Sequence, residues 1–350
     1  MFRPLTVKFL STFTNKLINR GLTKSSINMA RPNIYLTRPD IAPEAIEMLK
    51  SECDVTIWNK PSPVPRDELL ANIKDKEALY CTLCDKIDSV LLDAGSKLKV
   101  ISTISVGYDH IDVAECKKRG IRIGYTPDVL TDATAELTMA LLLSTARRLF
   151  QVNKEVFKPN GIWATEGEEN CGQGIRNSVV GIVGFGRIGH EVARRLIPFK
   201  PREILYFNRS EKAEWAREVA AKKVSFDELL EKSDFVVSTI ALNEETKNLF
   251  NAETFSKMKS SAVFVNTGRG GVVDEEALYE TLKNNRIYAA GLDVTQVEPL
   301  PLNSKLLTLE NCNILPHIGS AEVETRAEMA KIAAENLLKG LKGEKMVAEL

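Results

Sequence analysis

The feature that most constrains this chain lies in its middle. Val179-Val180-Gly181-Ile182-Val183 runs directly into Gly184-Phe185-Gly186-Arg187-Ile188-Gly189, and a helical pattern follows from His190 to Leu196. A continuous apolar run of that length suits a strand buried on both faces. A G-x-G-x-x-G by itself says little, but between a buried strand and a helix each glycine has a mechanical task. Gly184 makes the tight turn, Gly186 lets a pyrophosphate approach the backbone, and Gly189 lets helix and strand pack closely. Free N–H groups and partial positive charge at the helix N-terminus favour the phosphates. The segment predicts a dinucleotide site at the carboxyl end of a parallel sheet.

Strand and helix patterns alternate on both sides of it, the sign of parallel sheets with helices on their faces. The first set has apolar runs at Ile34-Tyr35-Leu36, Val55-Thr56-Ile57, Ala78-Leu79-Tyr80 and Val100-Ile101, separated by amphipathic segments such as 43–51 and 66–73. The second opens at Val179 and continues through Ile204-Leu205-Tyr206-Phe207, Phe235-Val236-Val237 and Ala262-Val263-Phe264-Val265. Between them, residues 132–148 are rich in Ala, Leu and Met without Gly or Pro. They predict a helix capped by Thr131 or Asp132, followed by an irregular arm as far as Asn177. Residues 321–340 predict a second long helix. These two helices are the natural places for the chain to cross between domains.

Composition excludes several classes of function. The chain has 350 residues, 44% of them hydrophobic and 27% charged, enough for two globular domains. Lys+Arg and Asp+Glu both number 47, so the basic face that nucleic acid requires is not expected. No run of ~18 apolar residues predicts a membrane span. The six cysteines are scattered and read as reduced thiols. Cys81 and Cys84 form a C-x-x-C with no second pair or nearby His, so two packed thiols and no metal site are expected. Residues 1–28 contain Arg3, Lys8, Lys16, Arg20 and Lys24 with no acid. That composition reads as a mitochondrial transit peptide, or else as a disordered leader to a cytoplasmic protein started at Met29.

The strand ending at Phe207 is followed by Asn208-Arg209-Ser210. An NAD-specific site would carry an acid about 20 residues beyond the fingerprint, bonded to the ribose 2′-hydroxyl. Here Arg209 stands 20 residues beyond Gly189. A guanidinium can bind a 2′-phosphate bidentately, and no carboxylate is present to repel it. NADP(H) is therefore expected, with NAD(H) the weaker alternative and Ser210 a further phosphate contact.

Three later segments deliver reactive side chains to strand ends: Val263-Phe264-Val265-Asn266-Thr267-Gly268-Arg269, Gly291-Leu292-Asp293 continuing to Glu298, and Ile314-Leu315-Pro316-His317-Ile318-Gly319. Ligands of open α/β sheets bind outside the carboxyl ends of the strands, so these side chains should converge. With Ile104-Ser105-Val106-Gly107-Tyr108-Asp109-His110 and the glycine fingerprint, this order of motifs resembles the D-2-hydroxyacid dehydrogenase family. The resemblance covers residues 32–350. Thr126-Pro127-Asp128-Val129-Leu130-Thr131 and the string from Leu315 to Ala321 resemble its glyoxylate reductase/hydroxypyruvate reductase branch.

The resemblance implies two doubly wound parallel-sheet domains with a cleft between them. A Rossmann cofactor domain would span 129–315, and a flavodoxin-like substrate domain would combine 29–128 with 316–350. It implies NADPH-dependent reduction of small 2-keto acids, glyoxylate to glycolate and hydroxypyruvate to D-glycerate. His317 would be the general acid, a role imidazole suits because its unperturbed pKa of ~6.5 lies near working pH. Glu298 would hold the other ring nitrogen, and Arg269 with the N–H groups of Val106 and Gly107 the substrate carboxylate. Asp293 would orient the nicotinamide carboxamide, with Ala241, Thr267 and Gly319 also lining the cofactor. His110 and His190 match no catalytic position. A homodimer is implied, joined through the segment from Asp132 to Asn177. Animal relatives carry a second tryptophan three residues after the one matching Trp163, where this chain has Glu166. The rival readings are a dinucleotide-sensing corepressor-like protein and an NAD-dependent 3-phosphoglycerate dehydrogenase.

Overall fold

The apolar runs form short strands, most of them buried although the run at 55–57 is only partly so, flanked by helices that supply the second layer on each face. The structure is a computed structural model that describes residues 30–60, 63–159, 161 and 171–350. The leader expected over 1–28, Met29, Trp163 and Glu166 lie outside the described residues.

The first sheet contains β1 (Asn33–Leu36), β2 (Asp54–Ile57), β3 (Ala78–Cys81), β4 (Val100–Thr103) and β5 (Arg122–Gly124), in the order β2-β1-β3-β4-β5. All its pairings are parallel, the doubly wound order of flavodoxin-like sheets. The second contains β6 (Val179–Val183), β7 (Glu203–Phe207), β8 (Lys222–Lys223), β9 (Phe235–Ser238), β10 (Val263–Asn266), β11 (Ala289–Leu292) and β12 (Cys312–Ile314). Its order is β12-β11-β10-β9-β6-β7-β8, so the direction of winding reverses between β6 and β9. That reversal opens the crevice where dinucleotides bind in Rossmann sheets, and the glycine fingerprint leaves β6 directly into it.

Side chains alternate across each sheet, as a two-residue period requires. Val180 and Ile182 face the helix Thr131–Ala146 through Leu142 and the helix Arg187–Leu196 through Val192 and Leu196. Val179 and Val183 face the opposite layer around Leu229, Phe250 and Phe264. The C-terminal helix Val323–Leu341 returns to the first sheet. Its Ala330 and Ala333 carbonyls accept from Tyr80 Oη at 3.2 Å and Ser102 Oγ at 2.7 Å, and Met329, Ala334 and Leu337 join that sheet's core. Each fully buried Leu, Val or Ile is worth ~1.5–3 kcal/mol.

Several expectations need correction. The helix expected over 132–148 spans Thr131–Ala146 with Leu130 at its N-cap, and neither Thr131 nor Asp132 caps it. Asp132 instead accepts from Arg195 at 2.6 Å. The chain breaks at Arg148, which takes a positive φ of 56° before a second helix, Leu149–Glu155. The helix after the fingerprint begins at Arg187 rather than His190, and the last helix begins at Val323 behind a Glu322 cap. Cys81 is buried but Cys84 is exposed, so the pair are not both packed thiols. Of the arm expected up to Asn177, residues 171–177 carry no helix or strand. Among the described residues no helix is long and apolar enough to cross a membrane.

Candidate active site

β11 ends at Leu292, and the next residue, Asp293, is buried. Its backbone carbonyl accepts from His317 N at 2.8 Å, while Oδ1 and Oδ2 accept from Ile318 N and Gly319 N, each at 2.8 Å. Burial raises the Asp293 carboxyl above its ordinary range, against the pull of those N–H groups and of His317. The three bonds hold the loop after β12 so that His317 sits at φ 54°, a conformation uncommon outside glycine but tolerated better by His than by most residues. Glu298 meets it from the β11 loop. Thr295 N donates to Glu298 Oε1 at 3.0 Å, and Oε2 lies 2.6 Å from His317 Nδ1. An ionised carboxylate only accepts, so Nδ1 carries the proton and Nε2 is the nitrogen left to react.

Arg269 is delivered by a turn at the end of β10. Asn266 Oδ1 accepts from Gly268 N at 3.1 Å and its Nδ2 donates to the Arg269 carbonyl at 2.9 Å. The guanidinium then crosses to the first sheet, where Nε donates to Asp109 Oδ1 at 2.8 Å, while Nη1 donates to the Gly268 carbonyl at 2.9 Å. Burial pushes the Asp109 carboxyl up, but the Arg269 charge and hydrogen bond hold it below its usual range. A Cβ on Gly107 would stand 1.5 Å from Arg269 Nη2. Only glycine lets the guanidinium lie on that backbone.

Val106, Gly107, Arg269, Glu298 and His317 line one cleft of about 1780 Å³. That exceeds the ~300–1,000 Å³ that suits one drug-sized ligand, leaving room for a dinucleotide beside a small acid. Arg187, Ile188, Arg209, Ala241 and Thr267 line the same cleft, as do Asp293 and Gly319. The Arg209 side chain extends into solvent, with Glu245 at 3.8 Å its nearest acid. Ser210 is not among the lining residues, and its hydroxyl, expected at the phosphate, accepts from Asn208 Nδ2 at 3.3 Å. Thr267 Oγ1 is shared with Thr138 Oγ1 at 2.8 Å.

The fingerprint fits a dinucleotide on three counts. Gly184 takes φ 93°, and a Cβ there would meet Ile240 N at 2.7 Å. A Cβ on Gly189 would stand 2.2 Å from the Gly184 carbonyl, whereas one on Gly186 would meet nothing within 4 Å. Two glycines are thus closed by packing, and the middle one leaves bare backbone facing open space. Gly186 is also the N-cap, and no side chain caps the helix Arg187–Leu196.

Residues 139–319 match the family described as D-isomer specific 2-hydroxyacid dehydrogenase, NAD binding domain. The human glyoxylate reductase/hydroxypyruvate reductase is 49% identical over 320 residues, 91% of this chain and 97% of that protein. The chain belongs to the D-isomer specific 2-hydroxyacid dehydrogenase family. A glyoxylate reductase of Thermofilum pendens is 46% identical over 326 residues, 90% of this chain and 93% of that one. Among solved structures, the NADPH-dependent glyoxylate/hydroxypyruvate reductase of Sinorhizobium meliloti, in complex with NADP and malonate, superposes with a TM-score of 0.79 at 30% identity. The match covers 92% of this chain and 97% of that one.

Three features of this dehydrogenase were not read from its sequence. Asp109, within a quoted motif, is the partner of Arg269 across 160 residues of chain. Asp293, expected to orient a cofactor, braces the His317 loop. Arg187, in the fingerprint, pairs through Nε with Asp128, which sits at φ 72°. Only the acid types at 109 and 128 were visible beforehand, with nothing to assign their partners.

Proposed function

We propose that this dehydrogenase reduces glyoxylate and hydroxypyruvate with NADPH. The observation that carries the reading is one cleft lined by the His317–Glu298 pair and by Arg269 lying on Gly107. The names of the human and Thermofilum relatives support the substrate class. The reduced nicotinamide, when bound, supplies a hydride. Arg269 and the N–H groups of Val106 and Gly107 hold the substrate carboxylate, a planar acceptor matched by a planar fork. His317 Nε2 gives its proton to the carbonyl oxygen, while Glu298 keeps the ring oriented and stabilises its protonated form. Asp293 holds the carboxamide side of the cofactor and braces the His317 loop. Gly186, Arg187 and Ile188 receive the pyrophosphate on a turn that Gly184 and Gly189 allow to close, with Ala241, Thr267 and Gly319 against the rest. The two sheets act as two bodies, 129–315 for cofactor and 32–128 with 316–350 for substrate.

Arg209 selects the cofactor. Among the described residues its acid neighbour is the exposed Glu245 at 3.8 Å, a kind of pair worth little, so the guanidinium is available to a 2′-phosphate. A charge-assisted contact of this kind contributes ~1.5–3 kcal/mol, or roughly 10- to 150-fold in affinity. Arg209→Ala should raise KM for NADPH by about that factor and leave KM for NADH nearly unchanged. The assay is cofactor oxidation with each keto acid and each cofactor. Equal use of NADH and NADPH by the wild type, unaltered in the variant, excludes this role; failure to reduce either keto acid excludes the function.

The active form is a homodimer. The apolar helix Thr131–Ala146 is largely covered within its own chain, so the case rests on the segment after it. There Leu149, Phe150, Val156 and Phe157 are exposed at 53, 42, 56 and 79%, a cluster that monomers rarely leave bare. Sedimentation at micromolar concentration should give twice the 38.9 kDa chain mass, and Phe157→Glu should shift it towards one. A wild-type monomer rules the dimer out.

A further inference from the structure

The carboxylate end of the cleft is backed by a buried polar chain with a fixed direction. Ser105 Oγ donates to the Gly107 carbonyl at 2.7 Å. Its one hydrogen is spent there, so at 2.8 Å Thr103 Oγ1 donates to Ser105 Oγ. Thr103 has then spent its own hydrogen and can only accept at its other contact, His110 Nε2 at 3.1 Å. His110 therefore carries its proton on Nε2 and heads the relay. Its Nδ1 is shielded from solvent and has no hydrogen-bond partner among the described residues. Burial pushes the His110 pKa down to about 4, with the Arg269 charge acting the same way against Asp109, so the ring is neutral. The neighbouring residue, Asp109, holds Arg269 Nε from the other side.

We propose that Asp109 and His110 are positioning residues for substrate recognition. Asp109 aims the Arg269 guanidinium, and His110, through Thr103 and Ser105, pins the Gly107 peptide on which that guanidinium lies. The proposal rests on the reading of Arg269, Val106 and Gly107 as the carboxylate site. The two residues fix the two halves of one receptor, and a displacement of ~1 Å at such a site can cost about 10²-fold. Neither needs to touch the substrate.

Asp109 also allows a test by sign. Its negative charge faces the end of the cleft that takes an anion, so if charge alone mattered its removal would tighten anion binding. If aiming matters, removal frees Arg269 to swing and binding weakens. The probe is oxamate, a carboxylate whose amide cannot be reduced, titrated into the enzyme–NADPH complex alongside steady-state kinetics. Asp109→Ala should raise the oxamate Kd and the keto acid KM by about 10- to 100-fold, with a smaller fall in kcat and an unchanged NADPH Kd. Thr103→Val, which keeps the shape and cuts the relay, should act in the same direction. So should His110→Phe, whereas His110→Gln, which keeps a donor, should restore most of the affinity.

Tighter oxamate binding by Asp109→Ala, or wild-type affinity in both Thr103→Val and His110→Phe, overturns the proposal. Arg269→Ala is the reference. If it binds oxamate normally, the underlying carboxylate site is wrong; if it alone is impaired, only the positioning roles fall. The wild type gives a further reading that requires no variant. The chain has three histidines, and the imidazole ¹⁵N spectrum should show the His110 ring neutral and protonated on Nε2 throughout the range pH 6–8, which begins about two units above its pKa of about 4. A ring at His110 protonated on Nδ1 reverses the relay and refutes it.

Discussion

Replacing His317 by Asn should lower kcat for both keto acids by ~10²–10⁴-fold, the usual worth of a positioned proton donor, with cofactor affinity almost unchanged. The site can lose this one group cleanly because the loop carrying it is held by other bonds. Asp293 takes three backbone N–H groups at 317, 318 and 319 whatever side chain stands at 317. Asn is a better choice than Ala because His317 has φ 54°, which Asn adopts readily and Ala does not. Its amide is not a proton donor of useful acidity. Glu298→Gln makes a milder companion. The amide oxygen still accepts from Nδ1–H, but the negative charge that stabilises the protonated ring is gone, so kcat should fall less than in His317→Asn. Near wild-type turnover in His317→Asn, with NADPH binding intact by fluorescence titration, removes His317 from the proton-donating role.

What was legible in advance follows from how far apart the interacting residues lie in the chain. The strands β6, β7, β9 and β10 centre on short runs of buried, mostly apolar residues, and a local pattern suffices to find them. The two-residue edge strand β8 is Lys222-Lys223, both exposed, and no hydrophobic signal marks it. The fingerprint glycines were readable because their spacing is local, with Gly189 packed on Gly184 five residues away, whereas the contact of Gly184 with Ile240 is not marked in the sequence. The cap of the helix Thr131–Ala146 was misread because Asp132 has a competing partner, Arg195, 63 residues on. The break at Arg148 has no sequence mark, for a positive φ at arginine carries no residue preference. Cys84 was misplaced because it follows a buried strand by three residues, where the chain has already left the core. Convergence of Arg269, Glu298 and His317 could be anticipated from strand ends, but their supporting partners could not. Asp109 acquires its task only when the two sheets come together, and Asp293 only when the loop after β12 returns to the end of β11; Thr103 bonds residues two and seven positions on, but nothing in their types announces a relay.

Arg269→Lys should lower kcat/KM by at least about 10²-fold, on the scale of losing one donor aimed at developing negative charge, although the charge is conserved. The reason is geometric. Arg269 uses Nε on Asp109 at 2.8 Å and Nη1 on the Gly268 carbonyl at 2.9 Å, and its Nη2 lies against Gly107. One planar group thus meets both walls of the cleft while keeping N–H groups for a carboxylate and for the carbonyl beside it. An ammonium is a single point on a flexible stem. It can stay with Asp109 or move towards the substrate, but it cannot do both, so KM should rise as kcat falls. Folding offers no competing explanation, because a lysine still neutralises Asp109, and the melting temperature should move little. Asp109 makes this separable from simple charge loss: in Arg269→Ala the carboxylate is left facing the substrate anion unpaired, and the oxamate Kd should rise further than in Arg269→Lys. An unchanged kcat/KM in the lysine variant means that the substrate carboxylate is held elsewhere in the cleft, and that the guanidinium serves only to tie the Asp109 loop to the end of β10.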